Sequence, residues 1–206
     1  MKEKILNDLE ILENFLNDDE KFVTFFGSAR FEEQNLYCKS AYELAKRLAN
    51  SGFSIITGGG DGVMKAANKG AFEVIQNQKN SSLNSVGINV LLPNEQELNN
   101  FITKGSIFQT LSLRKVALIR KSLNFVVFPG GFGTLDELFE ILVLIQCKKI
   151  DARVFLFGVE FYKPLIEFLQ SSLLYEKAIS KVDLSIFTLT DDINLIHSEI
   201  VNKGIR

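Results

Sequence analysis

Six short, almost unbroken apolar runs constrain this chain more than any other feature. They are FVTFF at 22–26, FSIIT at 53–57, SVGINVLL at 85–92, LNFVVF at 123–128, RVFLF at 153–157 and LSIFTLT at 184–190. Such runs, without polar alternation, suit strands covered on both faces, as in a parallel sheet clad by helices. Between them lie stretches of helical character: LYCKSAYELAKRLANSG, VMKAANKGAFEVIQNQ, LSLRKVALIRKS, TLDELFEILVLIQCKK, EFYKPLIEFLQSSLL and DDINLIHSEIVNK. The alternation predicts an α/β fold: a doubly wound, Rossmann-like parallel sheet of about six or seven strands with helices on both faces. The segment NEQELNNFITKGSIFQT has no clear period and leaves room for one further short strand. Ile5, Leu9, Leu12 and Leu16 recur at helical spacing and predict an amphipathic helix over about residues 2–17. No linker, repeat or low-complexity tract divides the chain, so residues 1–206 read as a single domain.

Composition excludes several classes of function. The net charge of −2 gives no bulk attraction to nucleic acid or to an anionic membrane. Cys38 and Cys147 are far apart and in no metal-ligand spacing, which fits a reducing compartment and excludes a disulfide framework. The single histidine, His197, leaves no basis for a Ser–His or Cys–His pair or a histidine-rich metal centre, and reads as a surface or edge residue. The acidic N-terminal stretch is no secretory signal, and no apolar run is long enough to span a bilayer. A cytoplasmic location is expected.

Three strands run into glycine turns: at Gly27, at Gly58 to Gly62 and at Gly130 to Gly133. In a parallel sheet all three fall on one edge, outside the carboxyl ends of the strands, where ligands bind in this fold class. Glycine lets the backbone approach a ligand closely, and the helix that follows offers free N–H groups and a positive dipole end, attractive to phosphate. The dinucleotide fingerprint is missing, since the first turn reads GSARFE, and so is the P-loop pattern. A mononucleotide phosphate remains the candidate ligand.

Thr134 and Glu137 stand in T-x-x-E spacing at a helix start, the pattern of a capping box, which accounts for both without any catalysis. Glu140, one turn on, reads as a polar residue on the helix face. The cationic stretch LRKVALIRK places Arg114 and Lys115 together with Lys121 seven residues after Arg114, and Arg30 follows the first glycine turn. A solvated face explains such a cluster as readily as a site does.

Taken together, these residues resemble the LOG family, the cytokinin riboside 5′-monophosphate phosphoribohydrolases, many of which carry an older lysine decarboxylase label. PGGxGTxxE is intact from Pro129 to Glu137, and the arginine–lysine pair upstream is matched by Arg114-Lys115. GSAR, TGGGDGVMKAANKGA and GINVLLPNEQELNNF look like the bacterial branch of the family. The resemblance implies hydrolysis of the N-glycosidic bond of a purine nucleoside 5′-monophosphate, AMP or N6-modified AMP, to free base and ribose 5-phosphate. It assigns catalysis to Glu137 and Arg114. It assigns substrate binding to Gly130, Gly131, Gly133, Thr134, Lys115, Gly58, Gly59, Gly60, Ser28, Arg30 and Glu95. It implies no metal, no organic cofactor and a homodimer or larger homo-oligomer. Ser112 stands where many plant members carry histidine, and Lys65 where the bacterial branch commonly carries glutamate, so the preferred base stays open. The competing reading is a non-catalytic nucleotide or molybdenum-cofactor carrier of the same fold. A pyridoxal-phosphate decarboxylase is disfavoured, because nothing marks a Schiff-base lysine.

Overall fold

The computed structural model describes residues 1–16, 20–78, 82–91 and 97–202. Seven strands form one sheet: β1 (Phe22–Phe26), β2 (Ser54–Thr57), β3 (Ser85–Val90), β4 (Lys104–Phe108), β5 (Ser122–Val127), β6 (Arg153–Phe157) and β7 (Phe187–Thr190). Every neighbouring pair is parallel and the order is β4-β3-β2-β1-β5-β6-β7. The order reverses at β1, so β1 and β5 flank the switch point where doubly wound sheets bind ligands.

The helices are α1 (Lys2–Leu16), α2 (Leu36–Asn50), α3 (Val63–Asn77), α4 (Leu111–Arg120), α5 (Phe132–Gln146), α6 (Val159–Phe168) and α7 (Ile193–Asn202). Helices α2, α3 and α7 build one hydrophobic core against the sheet, and α1, α4, α5 and α6 build the other. The central strands β1, β2 and β3 are buried at every position, which is why they read as continuous apolar runs. The edge strand β4 alternates between half-buried and exposed positions until Phe108, which explains why KGSIF carried no clear strand signal. A 3₁₀ turn at Asp183–Ser185 takes up the start of LSIFTLT and leaves Phe187–Thr190 as strand.

Two helices, α1 and α5, shape the framework of the site. Helix α1 spans Lys2–Leu16, with Ile5 40% and Leu9 38% exposed. It turns Asp8, Leu12 and Phe15 inward, and the Asp8 carboxylate is hydrogen-bonded to the chain ahead of α4. Helix α5 begins at Phe132 rather than at Thr134, with Gly131 as its N-cap. Thr134 is therefore its third residue, no side chain caps this end, and the capping box between Thr134 and Glu137 does not form.

Candidate active site

The three glycine turns meet at the carboxyl edge of the sheet. The N–H of Ser28 donates to the Pro129 carbonyl at 3.0 Å, and the Ser28 carbonyl accepts from the N–H of Val63 at 3.0 Å. The turn after β1 is thus bonded to the turns after both β2 and β5. A Cβ on Gly27 would lie 2.6 Å from Val63 Cγ1, and Gly62, at φ 63°, leaves no room for one beside the Ser28 carbonyl. Glycine at these two positions allows the turns to touch.

The N-terminus of α5 is open. Its first backbone bond runs from the N–H of Leu135 to the Gly131 carbonyl, so among the described residues the N–H groups of Phe132, Gly133 and Thr134 have no acceptor. Gly131, Phe132 and Gly133 are exposed, and nothing lies within 4 Å of where a Cβ on Gly131 or Gly133 would stand. At Gly130, by contrast, a Cβ would collide with Thr134 Oγ1, so glycine there lets the threonine fold back against the turn. Unsatisfied N–H groups at the positive end of a helix, with free space before them, form a seat for an anion.

Beside this seat lies an ion pair. Arg114 Nη1 donates to Glu137 Oε1 at 3.1 Å, and Arg114 Nε donates to the Ile88 carbonyl at 3.0 Å. Gly58 makes room for the guanidinium, since a Cβ there would strike Arg114 Nη2. Glu137 is only 8% exposed. Burial pushes its carboxyl up to about 7, with Asp136 adding to the rise, against the opposing pull of Arg114 and, more weakly, Lys115. Desolvation outweighs the attraction of the arginine. A buried pair of this kind is a poor source of stability, whereas a carboxyl poised near neutrality at the carboxyl edge of the sheet marks a candidate for chemistry.

The remaining expected site residues divide. Lys115 Nζ pairs with Glu140 at 2.8 Å and with Asp136 at 3.1 Å, so it ties α4 to α5 beside the Arg114–Glu137 link. Gly59 and Gly60 are buried and held by Asn99, whose N–H donates to the Gly59 carbonyl at 2.9 Å and whose Nδ2 donates to the Gly60 carbonyl at 3.0 Å. Ser28 Oγ accepts from the N–H of Arg30 at 3.1 Å, while the Arg30 side chain is exposed and without a partner among the described residues. Glu95 lies outside the described residues. His197 is bonded to Ser51 Oγ at 2.9 Å, between α7 and the end of α2.

Sequence reasoning missed three supporting residues. Asn99 locks the second turn, and Tyr162 donates from α6 to the Phe128 carbonyl at 2.9 Å, just ahead of Pro129. Asp8 holds the approach to α4. Asn99 lies within GINVLLPNEQELNNF but was given no role there, Tyr162 and Asp8 lie outside every quoted motif, and the pairing across elements reveals all three. A cavity of about 950 Å³ opens between α2 and α3, lined among others by Phe31, Tyr42, Asp61, Lys65, Lys69 and Phe101; it includes neither Arg114 nor Glu137. Among the described residues no cluster of three or more histidine, cysteine or acidic side chains could hold a metal ion, and no helix is long and apolar enough to cross a membrane.

A seven-stranded parallel sheet with an open helix N-terminus and a buried arginine–carboxylate pair at its switch point defines an α/β protein with a candidate site for an anionic ligand. Residues 64–200 match the family described as "Possible lysine decarboxylase", and the chain belongs to it, the LOG family of the resemblance above. The chain is 28% identical over 154 residues to the probable cytokinin riboside 5′-monophosphate phosphoribohydrolase LOGL2 of Oryza sativa subsp. japonica, covering 73% of this chain and 60% of that protein. It is 27% identical over 140 residues to the cytokinin riboside 5′-monophosphate phosphoribohydrolase LOG1 of Arabidopsis thaliana, covering 66% and 62%. The chain thus spans about three fifths of the length of these curated relatives. Among solved structures, the molybdenum cofactor binding protein of Rippkaea orientalis superposes with a TM-score of 0.59 at 18% identity, covering 91% of this chain and 98% of that one. At that identity the likeness concerns the fold.

Proposed function

We propose that this protein hydrolyses the N-glycosidic bond of a purine nucleoside 5′-monophosphate, releasing free base and ribose 5-phosphate. The observation that carries the reading is the Arg114–Glu137 pair, buried beside the open N-terminus of α5. The phosphate rests on the free N–H groups of Phe132, Gly133 and Thr134 and on the Thr134 hydroxyl. Breaking the bond sends its electron pair to the base nitrogen and leaves positive charge on the ribose. The Glu137 carboxylate stabilises that charge and orients water toward C1′. The water oxygen bonds to C1′, and the water's proton is passed to the leaving base. Arg114 favours the ionised form of Glu137 and fixes its orientation, a task suited to a planar, permanently charged fork. The scheme requires no metal and no organic cofactor. A cytoplasmic homodimer or larger assembly is part of the same proposal, by resemblance to the family.

Purified protein incubated with a panel of nucleoside 5′-monophosphates, AMP and N6-modified AMP among them, tests the reading by chromatography of the free base. Base release from at least one purine nucleotide is expected. Tight binding without base release across purines and pyrimidines would sink the hydrolase in favour of a carrier.

A further inference from the structure

Helix α1 lies outside the stretch 64–200 that matches the family, yet it reaches the framework of the site. Asp8 is 0% exposed. Its carboxylate accepts three hydrogen bonds: Oδ1 from the N–H of Gln109 at 2.8 Å, and Oδ2 from the N–H of Thr110 at 2.8 Å and the Thr110 hydroxyl at 2.6 Å. Among the described residues no cation pairs with it. An apolar side chain in its place would leave the N–H groups of Gln109 and Thr110 without this acceptor, so the carboxylate serves to hold those two residues.

The donors show what Asp8 does. Thr110 is the N-cap of α4, but its hydroxyl turns to Asp8 and caps nothing in its own helix. Asp8 does not take the N–H groups of Leu111, Ser112 or Leu113 either, so it is no substitute cap. It holds the two residues that join β4 to α4. One turn on, the N–H of Arg114 donates to the Thr110 carbonyl at 3.2 Å, and the guanidinium then spans Ile88 and Glu137 in the slot beside Gly58. A helix held at Thr110 delivers its arginine to one place, and a slot this narrow tolerates little displacement.

We propose that Asp8 is a positioning residue of the site, holding the start of α4 so that Arg114 meets Glu137. The inference rests on the reading of Arg114 and Glu137 as the working pair, but its test does not depend on turnover. The groups facing Glu137 are Arg114 and Lys115 from α4 and Asp136 from its own helix. Letting Arg114 drift therefore removes the main influence opposing burial and drives the carboxyl upward.

With ¹³C-labelled glutamate and Glu137→Gln to identify the signal, the Glu137 carboxyl is titrated by NMR in wild type, Asp8→Asn, Thr110→Val and Arg114→Ala. Asp8→Asn is expected to raise the midpoint by about one pH unit, the effect of weakening a close opposite charge. Thr110→Val, which removes one bond of the three, should move it the same way by less, and Asp8→Asn should add nothing in the Arg114→Ala background. A folded Asp8→Asn protein with an unmoved midpoint overturns the proposal. Should that variant fail to fold, an unmoved midpoint in Thr110→Val does so, as does a further shift in the Arg114→Ala background. Base release measured alongside keeps the two readings apart. Titrations shifted as expected in a chain that releases no base would remove the hydrolase and leave the positioning role standing.

Discussion

Arg114 and Glu137, on different helices and 23 residues apart in sequence, meet at 3.1 Å in a place where burial holds the carboxyl up to about 7. The pair is set by three elements at once: α4 supplies the arginine, α5 the glutamate, and β3, through Ile88, a carbonyl that fixes the guanidinium. This relationship gives the site a pH signature.

The folded ionisation of Glu137 lies above its ordinary value of 4.5, so the protonated form favours the folded chain. That stabilisation is complete below about pH 4.5 and is lost as pH rises through about 7. Urea denaturation across this window should show wild type losing up to roughly 3 kcal/mol relative to Glu137→Gln, by the energy equivalent of the shift. Parallel pH curves for the two proteins would contradict the burial argument.

Activity should run the opposite way. Because the ionised carboxylate stabilises ribosyl charge, kcat/KM should rise with pH on a limb near 7. Arg114→Lys keeps a charge but cannot span both Ile88 and Glu137 with a planar fork, and should lower kcat/KM by about 10²-fold, the scale of a misplaced catalytic group. An undiminished rate in that variant would show that charge alone suffices.

The open space in front of Gly133 predicts a split between stability and binding. Gly133 is a helical residue with nothing within 4 Å of an added Cβ. Gly133→Ala should stabilise the free protein by about 0.5–1 kcal/mol through backbone entropy. The same methyl enters the anion seat and should weaken nucleoside monophosphate binding, while leaving any weak binding of the unphosphorylated nucleoside unchanged. Calorimetry with the two ligands reads both effects.

Much of this arrangement was legible in the sequence, for identifiable reasons. Strands buried on both faces leave continuous apolar runs, so β1, β2, β3, β5 and β6 stood out, and their glycine turns had to share an edge once the sheet was parallel. Edge strand β4 was legible only as room for a short strand without bounds, because it is half-exposed and contains Lys104, Gly105 and Ser106. The T-x-x-E spacing suggested a cap because it could not show that α5 starts two residues earlier, which leaves Glu137 free to meet Arg114 rather than the helix end. The role of Asp8 left no trace in the pattern of α1, because its donors lie about a hundred residues away in sequence. Tyr162 is another residue of this kind.

Tyr162 is fully buried and donates to the Phe128 carbonyl at the root of the Pro129–Gly130 turn. Tyr162→Phe keeps the packing and strands that carbonyl, which should cost about 1–3 kcal/mol, the penalty of an unsatisfied buried acceptor. Chemical denaturation measures the loss, and an unchanged midpoint would show that the turn is held without this bond.

The central claim is that the Glu137 carboxylate drives base release, and single-turnover hydrolysis by Glu137→Gln tests it most directly. Glutamine preserves the shape of the side chain but carries no charge. With a nucleotide that wild type cleaves, the account predicts a folded variant that binds the nucleotide and releases no measurable base. Base release at the wild-type rate would contradict it and leave Glu137 a structural partner of Arg114.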